Sequence, residues 1–391
     1  MKGFVGNVPE KIVFGAGCLS ELPKHVEGLG RKAILVTTKS SRPEKKALID
    51  RVIGLLKQGG VDAVSFAEVE ENPRTTTCDA GAEIARKERC DISVGLGGGS
   101  AMDAAKMIAL AAASGGKAED YIPGGKFCDK PESELSCLPI IEITTTSGTG
   151  SESTQFAVLT NPKDNNKPGI GYDFWFPTVS VVDPELTLSL PRSVTLNTGL
   201  DTFYHAFESY VCNVANPYAD MFAEKAMETV VASLKKCLDN PGDIEARSQM
   251  AFANTMAGTA IALGGTYAIH GMAHSVSGHF DAAHGAALTA IAPAIMEFSC
   301  SGNIPKFAKA AVILGGDPQK TEEELALACR ALFERFLDTL DAKITLKDLG
   351  VTEDKLRQMA EDAFFSMKGA MENTPVPITV DDAVELYRKS M

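Results

Sequence analysis

Residues 91–106 read Asp91-Ile-Ser-Val-Gly-Leu-Gly97-Gly98-Gly99-Ser100-Ala-Met-Asp103-Ala-Ala-Lys106 and join an apolar run, a glycine triplet and a helical pattern. The apolar run predicts a buried strand, and the residues after the glycines predict a helix. Glycine lets the backbone approach a bulky anion, and the N–H groups and dipole at the start of a helix hold a pyrophosphate. A glycine triplet without the Gly-x-Gly-x-x-Gly spacing also fits a plain tight turn, so both interpretations stay open for this segment alone.

The same alternation of apolar runs and helix-length segments extends over the first half of the chain. A helix is predicted at residues 44–57, and further strands are predicted at 33–36, 61–66, 138–143 and 178–182. This alternation is typical of β-α-β units in a mostly parallel sheet that is covered on both faces. Beyond Asp183 the pattern becomes almost entirely helical. We therefore predict an α/β domain at 1–185 and an all-helical domain at 186–391.

A second group of glycines and small hydroxyls follows the predicted strand at 138–143, as Thr144-Thr-Thr-Ser-Gly-Thr-Gly-Ser-Glu152. Such residues at the carboxyl end of a parallel strand suit a phosphate, a ribose or a carboxamide. Two loops of this kind on one sheet favour a bound nucleotide. The alternative is a loop rich in Ser and Thr that caps the following helix.

Histidines are concentrated in one short segment of the second half. Four of the six in the chain lie within residues 270–284, as His270, His274, His279 and His284. Asp201 and His205 have the same i, i+4 spacing as His270 and His274, which places each pair on one face of a helix. Imidazole and carboxylate groups are good ligands for a divalent transition metal. The pattern predicts a metal site, although a single histidine on such a helix is more often structural.

Composition excludes several classes of partner. The chain has 391 residues, a formal net charge of −13 and no run of Lys or Arg, which argues against nucleic acid or an anionic membrane. No apolar stretch approaches the ~20 residues that span a bilayer, and the N-terminal residues lack the apolar core of a signal peptide. The nine cysteines contain no Cys-x-x-Cys pair. We expect a cytoplasmic protein with free thiols.

Taken in order, these motifs resemble the iron-containing (group III) alcohol dehydrogenase family. The resemblance rests on Gly97 to Lys106, Thr145 to Glu152, Asp183-Pro-Glu-Leu, Gly199-Leu-Asp-Thr-Phe-Tyr-His-Ala-Phe-Glu208, and His270 through Gly285. It implies a dehydroquinate synthase-like fold, with a Rossmann-like dinucleotide-binding domain followed by an all-α domain. It also implies a homodimer or higher homo-oligomer.

The resemblance assigns the metal ligands by position. They would be Asp201, His205, His270 and His284, holding Fe(II), with Zn as the alternative because its intrinsic affinity is higher. His274 matches the histidine that the family places beside the nicotinamide and substrate, and it would relay a proton. His279 has no counterpart, and we interpret it as structural or cleft-lining.

The resemblance also assigns the residues that contact the cofactor. The turn after the third strand, with Gly97, Gly98, Gly99, Ser100 and Asp103, would hold the pyrophosphate and neighbouring groups. The site would extend toward the ribose and nicotinamide through Thr145, Thr146 and Thr149. On the adenosine side, the loop that contains Asn72 would complete the site.

The end of the first predicted strand bears on the choice of dinucleotide. NAD-specific folds often place an acid there, which accepts hydrogen bonds from the ribose hydroxyls. Here the strand ends without any acid, and Lys39, Ser40, Ser41 and Arg42 follow. These side chains would pair with a 2′-phosphate. We predict NADP over NAD, the alternative being a solvated turn.

The activity implied is that of a metal-dependent, NAD(P)-linked alcohol dehydrogenase or aldehyde reductase that acts on a short-chain primary alcohol or diol. A glycerol dehydrogenase-like or dehydroquinate synthase-like enzyme is the nearest alternative, and a non-catalytic nucleotide- or metal-binding protein is an alternative of a different class. The loop at 169–175 is longer than usual for the family, and we expect it to shape the substrate side.

Overall fold

The computed structural model describes residues 6–8 and 11–391, which group into two compact units. Of these, the α/β unit holds residues 7–8, 11–146 and 151–188, and the helical unit holds residues 6, 147–150 and 189–391. The division falls after residue 188, where the sequence predicted 185. The short return of residues 147–150 to the helical unit was not predicted.

The strands of the α/β unit are Ile12–Phe14 (β1), Lys32–Thr38 (β2), Asp62–Val69 (β3), Ile92–Gly97 (β4), Ile140–Thr144 (β5), Phe156–Val158 (β6), Gly169–Gly171 (β7) and Val179–Val182 (β8). Six of them form a parallel sheet in the order β1-β8-β5-β4-β2-β3. Strands β6 and β7 form a separate antiparallel pair. The helices are Leu22–Val26 (α1), Pro43–Gln58 (α2), Thr75–Lys87 (α3) and Gly99–Ser114 (α4). The predicted parallel α/β fold is confirmed.

Side chains on both faces of the sheet are buried, which explains the continuous apolar runs. In β2, Ile34 and Val36 enter the core on one face, and Ala33 and Leu35 enter the core on the other. Central strands covered on both sides lose the alternation of apolar and polar residues that a half-exposed strand shows. The carboxyl ends of β4 and β5 lie side by side, so the two glycine-rich loops emerge next to each other.

Aromatic residues of the loop at 169–175 pack into the core of the α/β unit. Trp175 is fully buried, and its ring meets the Tyr172 ring edge-on at 4.8 Å between centroids. The loop was expected to shape the substrate side. Its aromatic side chains instead belong to the packing of the sheet, because they are large apolar groups that have a covered position available.

The helical unit begins with Arg192–Val211 (α5), a helix that carries an aromatic face and a polar face. Its Phe203 stacks on Phe333 at 5.2 Å between centroids, in the core of the unit. The other helices are Pro217–Asp239 (α6), Ile244–Gly264 (α7), Ala268–Phe280 (α8), His284–Ser299 (α9), Ile304–Ile313 (α10), Glu322–Leu340 (α11), Leu356–Ser366 (α12), Lys368–Glu372 (α13) and Val380–Lys389 (α14). No helix in the described part of the chain is long and apolar enough to cross a membrane.

All nine cysteines are free, as predicted, and seven of them are buried. Burial raises the pKa of the Cys78 thiol well above its usual range. A thiol in such surroundings behaves as a small apolar side chain and is a poor nucleophile.

Candidate metal centre

Three helices supply the predicted metal ligands: Asp201 and His205 on α5, His270 on α8 and His284 at the start of α9. Gly199 on α5 and Gly285 on α9 allow these helices to pack closely against neighbouring helices. A Cβ on Gly285 would collide with the carbonyl oxygen of Asn197, so only glycine lets the first turn of α9 approach α5 at this point. The close approach brings the His284 ring toward the Asp201 carboxylate.

The ligating atoms of Asp201, His270 and His284 all lie within 4.8 Å of one another. Oδ1 of Asp201 is 3.3 Å from Nε2 of His270 and 3.9 Å from Nε2 of His284. Asp201 Oδ1 and His270 Nε2 are both buried without a hydrogen-bond partner. Two buried lone-pair atoms facing each other are costly unless a cation lies between them. The arrangement therefore fits a bound metal ion.

His205 lies beside this group but outside the set of converging atoms. Its ring stacks on the His270 ring at 4.3 Å between centroids, and its Nδ1 is 3.7 Å from Asp201 Oδ1 and 3.2 Å from the carbonyl oxygen of Gly148. Burial lowers the pKa of His205 to about 4, so the ring is neutral. A neutral ring that donates from Nδ1 to Gly148 keeps its lone pair on Nε2, as a metal ligand requires.

Glu208 supports His270 from behind and was not among the predicted site residues. Its buried carboxylate accepts from His270 Nδ1 at 2.6 Å, from the backbone N–H of Tyr267 at 2.6 Å and from that of His270 at 3.1 Å. Burial opposes protonation of His270, but the charges of Glu208 and Asp201 outweigh it and raise its pKa to about 9. A positive charge at Nε2, either a proton or a metal ion, is therefore favoured. The sequence offered one signal for Glu208, which is its spacing from Asp201 and His205, because residues 201, 205 and 208 share one face of α5.

We expect Glu208→Gln to weaken metal binding about ten- to a hundredfold. An amide has only one accepting oxygen, so either the Tyr267 N–H or the His270 Nδ1–H loses its acceptor. Where the amide NH₂ faces Nδ1, His270 is driven into the tautomer that carries hydrogen on Nε2. Competition with a chelator of known affinity would measure the change.

The matched control is Glu228→Gln, which alters an exposed carboxylate of the helical unit that pairs with Lys225. Equal metal affinity in the Glu208 and Glu228 variants would show that the carboxylate behind His270 does not set its tautomer.

Of the other two histidines in the segment 270–284, the structure brings one to the centre and not the other. The buried His274 ring lies 5.1 Å from the His284 ring and 6.3 Å from the His270 ring between centroids. His279 points elsewhere, with Nε2 2.6 Å from Oδ2 of Asp362 on α12. Its contact fits the structural interpretation, since it ties the end of α8 to α12.

The glycine turn after β4 lies beside Thr145 and Thr146, which follow β5. Gly97 has φ 155°, and its carbonyl oxygen accepts from the backbone N–H of Thr145 at 2.9 Å. A Cβ on Gly98 would lie 3.0 Å from Oγ1 of Thr146, so glycine allows this close approach. Gly99 begins α4 directly after the turn. The geometry matches the predicted anion-binding turn, whose contacts with a cofactor stay a prediction.

The loop that contains Asn72, which the sequence predicted for the adenosine side, contacts the start of α4. Ser100 Oγ donates to the carbonyl oxygen of Glu71, next to Asn72. Asn72 Oδ1 accepts from Nζ of Lys167 at 2.9 Å, a buried lysine that sequence reasoning missed. Ser100 and Asn72 are therefore brought together at the start of α4.

Asp103 requires a correction, because its carboxylate supports the neighbouring backbone. One oxygen accepts from Ser151 Oγ at 2.7 Å and the other from the Val158 N–H at 2.9 Å, and the side chain is buried. Its position one turn into α4 carries it to the 151–158 segment, and a carboxylate would also repel a pyrophosphate. We therefore assign Asp103 a supporting role in place of the expected phosphate contact.

Thr149, Ser40 and Ser41 lie in other segments of the chain than the turn at residues 97–100. Thr149 belongs to the segment 147–150 of the helical unit, where Gly150 N–H donates to Asn254 Oδ1 at 3.0 Å. Ser40 and Ser41 are exposed after β2, and Ser40 Oγ accepts from the Arg42 N–H at 3.2 Å. Their cofactor contacts stay predictions.

Known proteins resemble the chain over its whole length. Residues 9–184 match the family described as iron-containing alcohol dehydrogenase, and residues 195–391 match the C-terminal part of the Fe-containing alcohol dehydrogenase family. Over 98% of its length the chain is 32% identical to the NAD-dependent methanol dehydrogenase of Bacillus methanolicus and 35% identical to the 1,3-propanediol dehydrogenase of Citrobacter freundii, covering 99% and 97% of those proteins. The structure of an archaeal halo-thermophilic alcohol dehydrogenase from a Red Sea brine pool, ADH/D1, is 38% identical and superposes over all of both chains with a TM-score of 0.94. The chain belongs to the iron-containing alcohol dehydrogenase family.

Proposed function

We propose that the protein is an Fe(II)-dependent alcohol dehydrogenase that interconverts a short-chain primary alcohol or diol and its aldehyde, with NADP(H) as the preferred cofactor. The observation that carries the proposal is the convergence of Asp201, His270 and His284 on one buried point. Relatives named for methanol, 1,3-propanediol and butanol support small alcohols as the substrate class.

The donor set fits a catalytic metal. Asp201, His205, His270 and His284 would hold the ion, since imidazole and carboxylate groups suit Fe(II) or Zn. When bound, the cation supplies a Lewis acid for the substrate oxygen, and the nicotinamide supplies or accepts hydride.

The chain's own side chains orient the ligands and move the proton. Glu208 holds the His270 tautomer through Nδ1, and the Gly148 carbonyl holds His205. His274, buried next to His284, carries the hydroxyl proton toward solvent through a ring nitrogen.

The preference for NADP(H) is proposed from this chain's own residues. The methanol dehydrogenase is NAD-dependent by name, and a butanol dehydrogenase relative is NADH-dependent. Here the backbone leaves β2 through Thr38 and Lys39, with no acid to accept from a ribose 2′-hydroxyl.

We expect turnover to depend on the metal. Protein stripped with a chelator and reloaded anaerobically with Fe(II) should oxidise NADPH in the presence of butanal, whereas stripped protein should not. Parallel assays with NADH should show a lower kcat/KM. Oxidation of neither cofactor, at one metal per chain, would contradict the alcohol dehydrogenase proposal and direct the search to glycerol and to the synthase reaction.

We further propose a homodimer or higher homo-oligomer in the cytoplasm, as expected from the sequence. Sedimentation equilibrium of the metal-loaded protein, together with fractionation of cells that produce it, would check both statements.

A further inference from the structure

Glu142 places a carboxyl group in the interior of the parallel sheet. It is the third residue of β5, and its side chain is fully buried. In the strand register it lies beside Gly95 of β4, where a Cβ would collide with Oε2 of Glu142. The same Cβ would lie 3.0 Å from Cα of Met102 on α4. The carboxyl group therefore lies across β4, on the face of the sheet that α4 covers, in space that only glycine leaves open.

Neither oxygen of this carboxyl group has a hydrogen-bond donor in the described part of the chain. Lys106 on α4 is a nearby positive charge, but its Nζ lies within 3.0 Å of four other oxygens, all of them in residues 151–156. A buried carboxylate without a donor is costly, and a neutral carboxylic acid avoids most of this cost. The contacts around Glu142 therefore favour its protonated form.

The charges that face Glu142 come from two elements of the α/β unit. Asp103 and Lys106 lie on α4, and Glu152 lies in the short turn at residues 151–153. The residues beside Glu142 in β4 and β8 carry no charge. Burial raises the pKa of the Glu142 carboxyl well above its usual range; Lys106 opposes the shift, and the two other carboxylates reinforce it. Charge and geometry therefore agree on a neutral group.

The elements packed around Glu142 are those that carry the glycine turn after β4. Gly95 precedes Gly97 by two residues, which is about 7 Å along the strand. Thr144, the last residue of β5, follows Glu142 by two residues, and α4 begins at Gly99. A negative charge on Glu142 would favour the entry of water between β4 and α4, and it would repel a pyrophosphate held at the turn.

We propose that Glu142 is a positioning residue for this turn, that it is held there as a neutral acid, and that loss of its proton to solvent weakens dinucleotide binding. The link with the dinucleotide rests on the proposed function, whereas the protonation state does not. The sequence alone did not single out Glu142, because it stands within an apolar run.

Infrared difference spectra test the protonation state directly. At pH 7, Glu142→Gln should lose the C=O band of one protonated carboxyl group. Glu142→Met, which keeps the length of the side chain without a titratable group, should lose the same band. The matched control is Glu134→Gln, which alters an exposed carboxylate of the same unit that pairs with Lys130. Equal bands in the unaltered protein and in all three variants would overturn the proposal.

Urea unfolding, followed by the fluorescence of the buried Trp175, shows where the proton is lost. Between the pKa of Glu142 in the unfolded chain and its raised pKa in the folded protein, only the folded state keeps the proton, so stability falls as pH rises. Relative to Glu142→Gln, the unfolding equilibrium constant of the unaltered protein should rise about tenfold per pH unit from about pH 5 and level off at the pKa of the folded state. A ratio that does not change with pH would overturn the proposal.

The link with the cofactor is tested by the Kd for NADPH, measured from nicotinamide fluorescence in the metal-loaded protein without aldehyde. Below the pH at which the unfolding ratio levels off, the unaltered protein and Glu142→Gln should agree within about twofold. Above it, Kd should rise by up to about tenfold per pH unit in the unaltered protein alone.

A Kd that rises equally in both proteins, or in neither up to the pH at which the protein unfolds, would overturn the link between Glu142 and the cofactor. Failure of the unaltered protein to bind NADPH at any pH would instead contradict the proposed function. The infrared and unfolding results would still decide the protonation state, so the two failures are distinguishable.

Discussion

Asp201→Ala is expected to lose the bound metal and to lower turnover about a thousandfold or more. Asp201 supplies the carboxylate oxygen that faces the nitrogens of His270 and His284 at 3.3 and 3.9 Å. Without it, imidazoles alone must hold a divalent cation in a buried site, and the negative charge that compensates the cation is gone. Loss of several kcal/mol of Lewis-acid stabilisation corresponds to about three orders of magnitude in rate.

Metal content per chain by elemental analysis and NADPH oxidation with butanal would measure both effects. Asp201→Asn keeps the volume of the side chain and guards against a folding defect at this buried position. Asp239→Ala, which removes an exposed carboxylate paired with Lys235, is the matched control. Full metal stoichiometry in Asp201→Ala would refute the assignment of Asp201 as a ligand.

Lys106→Met is expected to lower the free energy of unfolding of the α/β unit by about 3–5 kcal/mol. The Lys106 side chain is fully buried, and Nζ lies within 3.0 Å of four acceptors: the Ser151 carbonyl and Oγ, the Thr154 carbonyl and the Phe156 carbonyl. Methionine fills a similar volume but donates to none of them. It also leaves the buried carboxylate of Asp103 without its nearby positive charge.

Urea unfolding followed by tryptophan fluorescence would measure this loss, because Trp175 is the only tryptophan and is buried in the core of the same unit. Lys57→Met on α2 replaces an exposed lysine and should leave the midpoint unchanged. A shift of less than about 1 kcal/mol for Lys106→Met would mean that water replaces the lost donor.

The parallel sheet could be predicted from sequence because its central strands are mostly apolar and are buried on both faces. Strand β1 was missed because Ile12–Phe14 has three residues and lies at an edge, with Ile12 and Phe14 partly exposed. The short pair β6 and β7 was missed for a similar reason. None of these three short strands has enough residues to show a periodic pattern of apolar side chains.

Some of the site residues could likewise be predicted from the sequence, and others could not. The spacing of Asp201 and the histidines pointed to a metal site because it follows the period of a single helix. Glu208 acts across two helices, from α5 to the start of α8, and Lys167 donates to Asn72, which is 95 residues away in the chain. Such roles depend on packing that a linear pattern does not contain. For Asp103 the motif gave the position, but the direction of the carboxylate is set by the 151–158 segment.

The chain passes from the α/β unit to the helical unit at residue 147, returns at 151, and leaves again after 188. Consider a gene fusion that exchanges the α/β unit with that of a relative by a single cut near residue 188. Here such a chimera would carry residues 147–150 from one parent and the helices that receive them from the other. The hydrogen bond between the Gly148 carbonyl and His205, and the one from the Gly150 N–H to Asn254, would then join residues from two different parents. Cofactor preference is therefore better transplanted by point substitutions than by swapping halves.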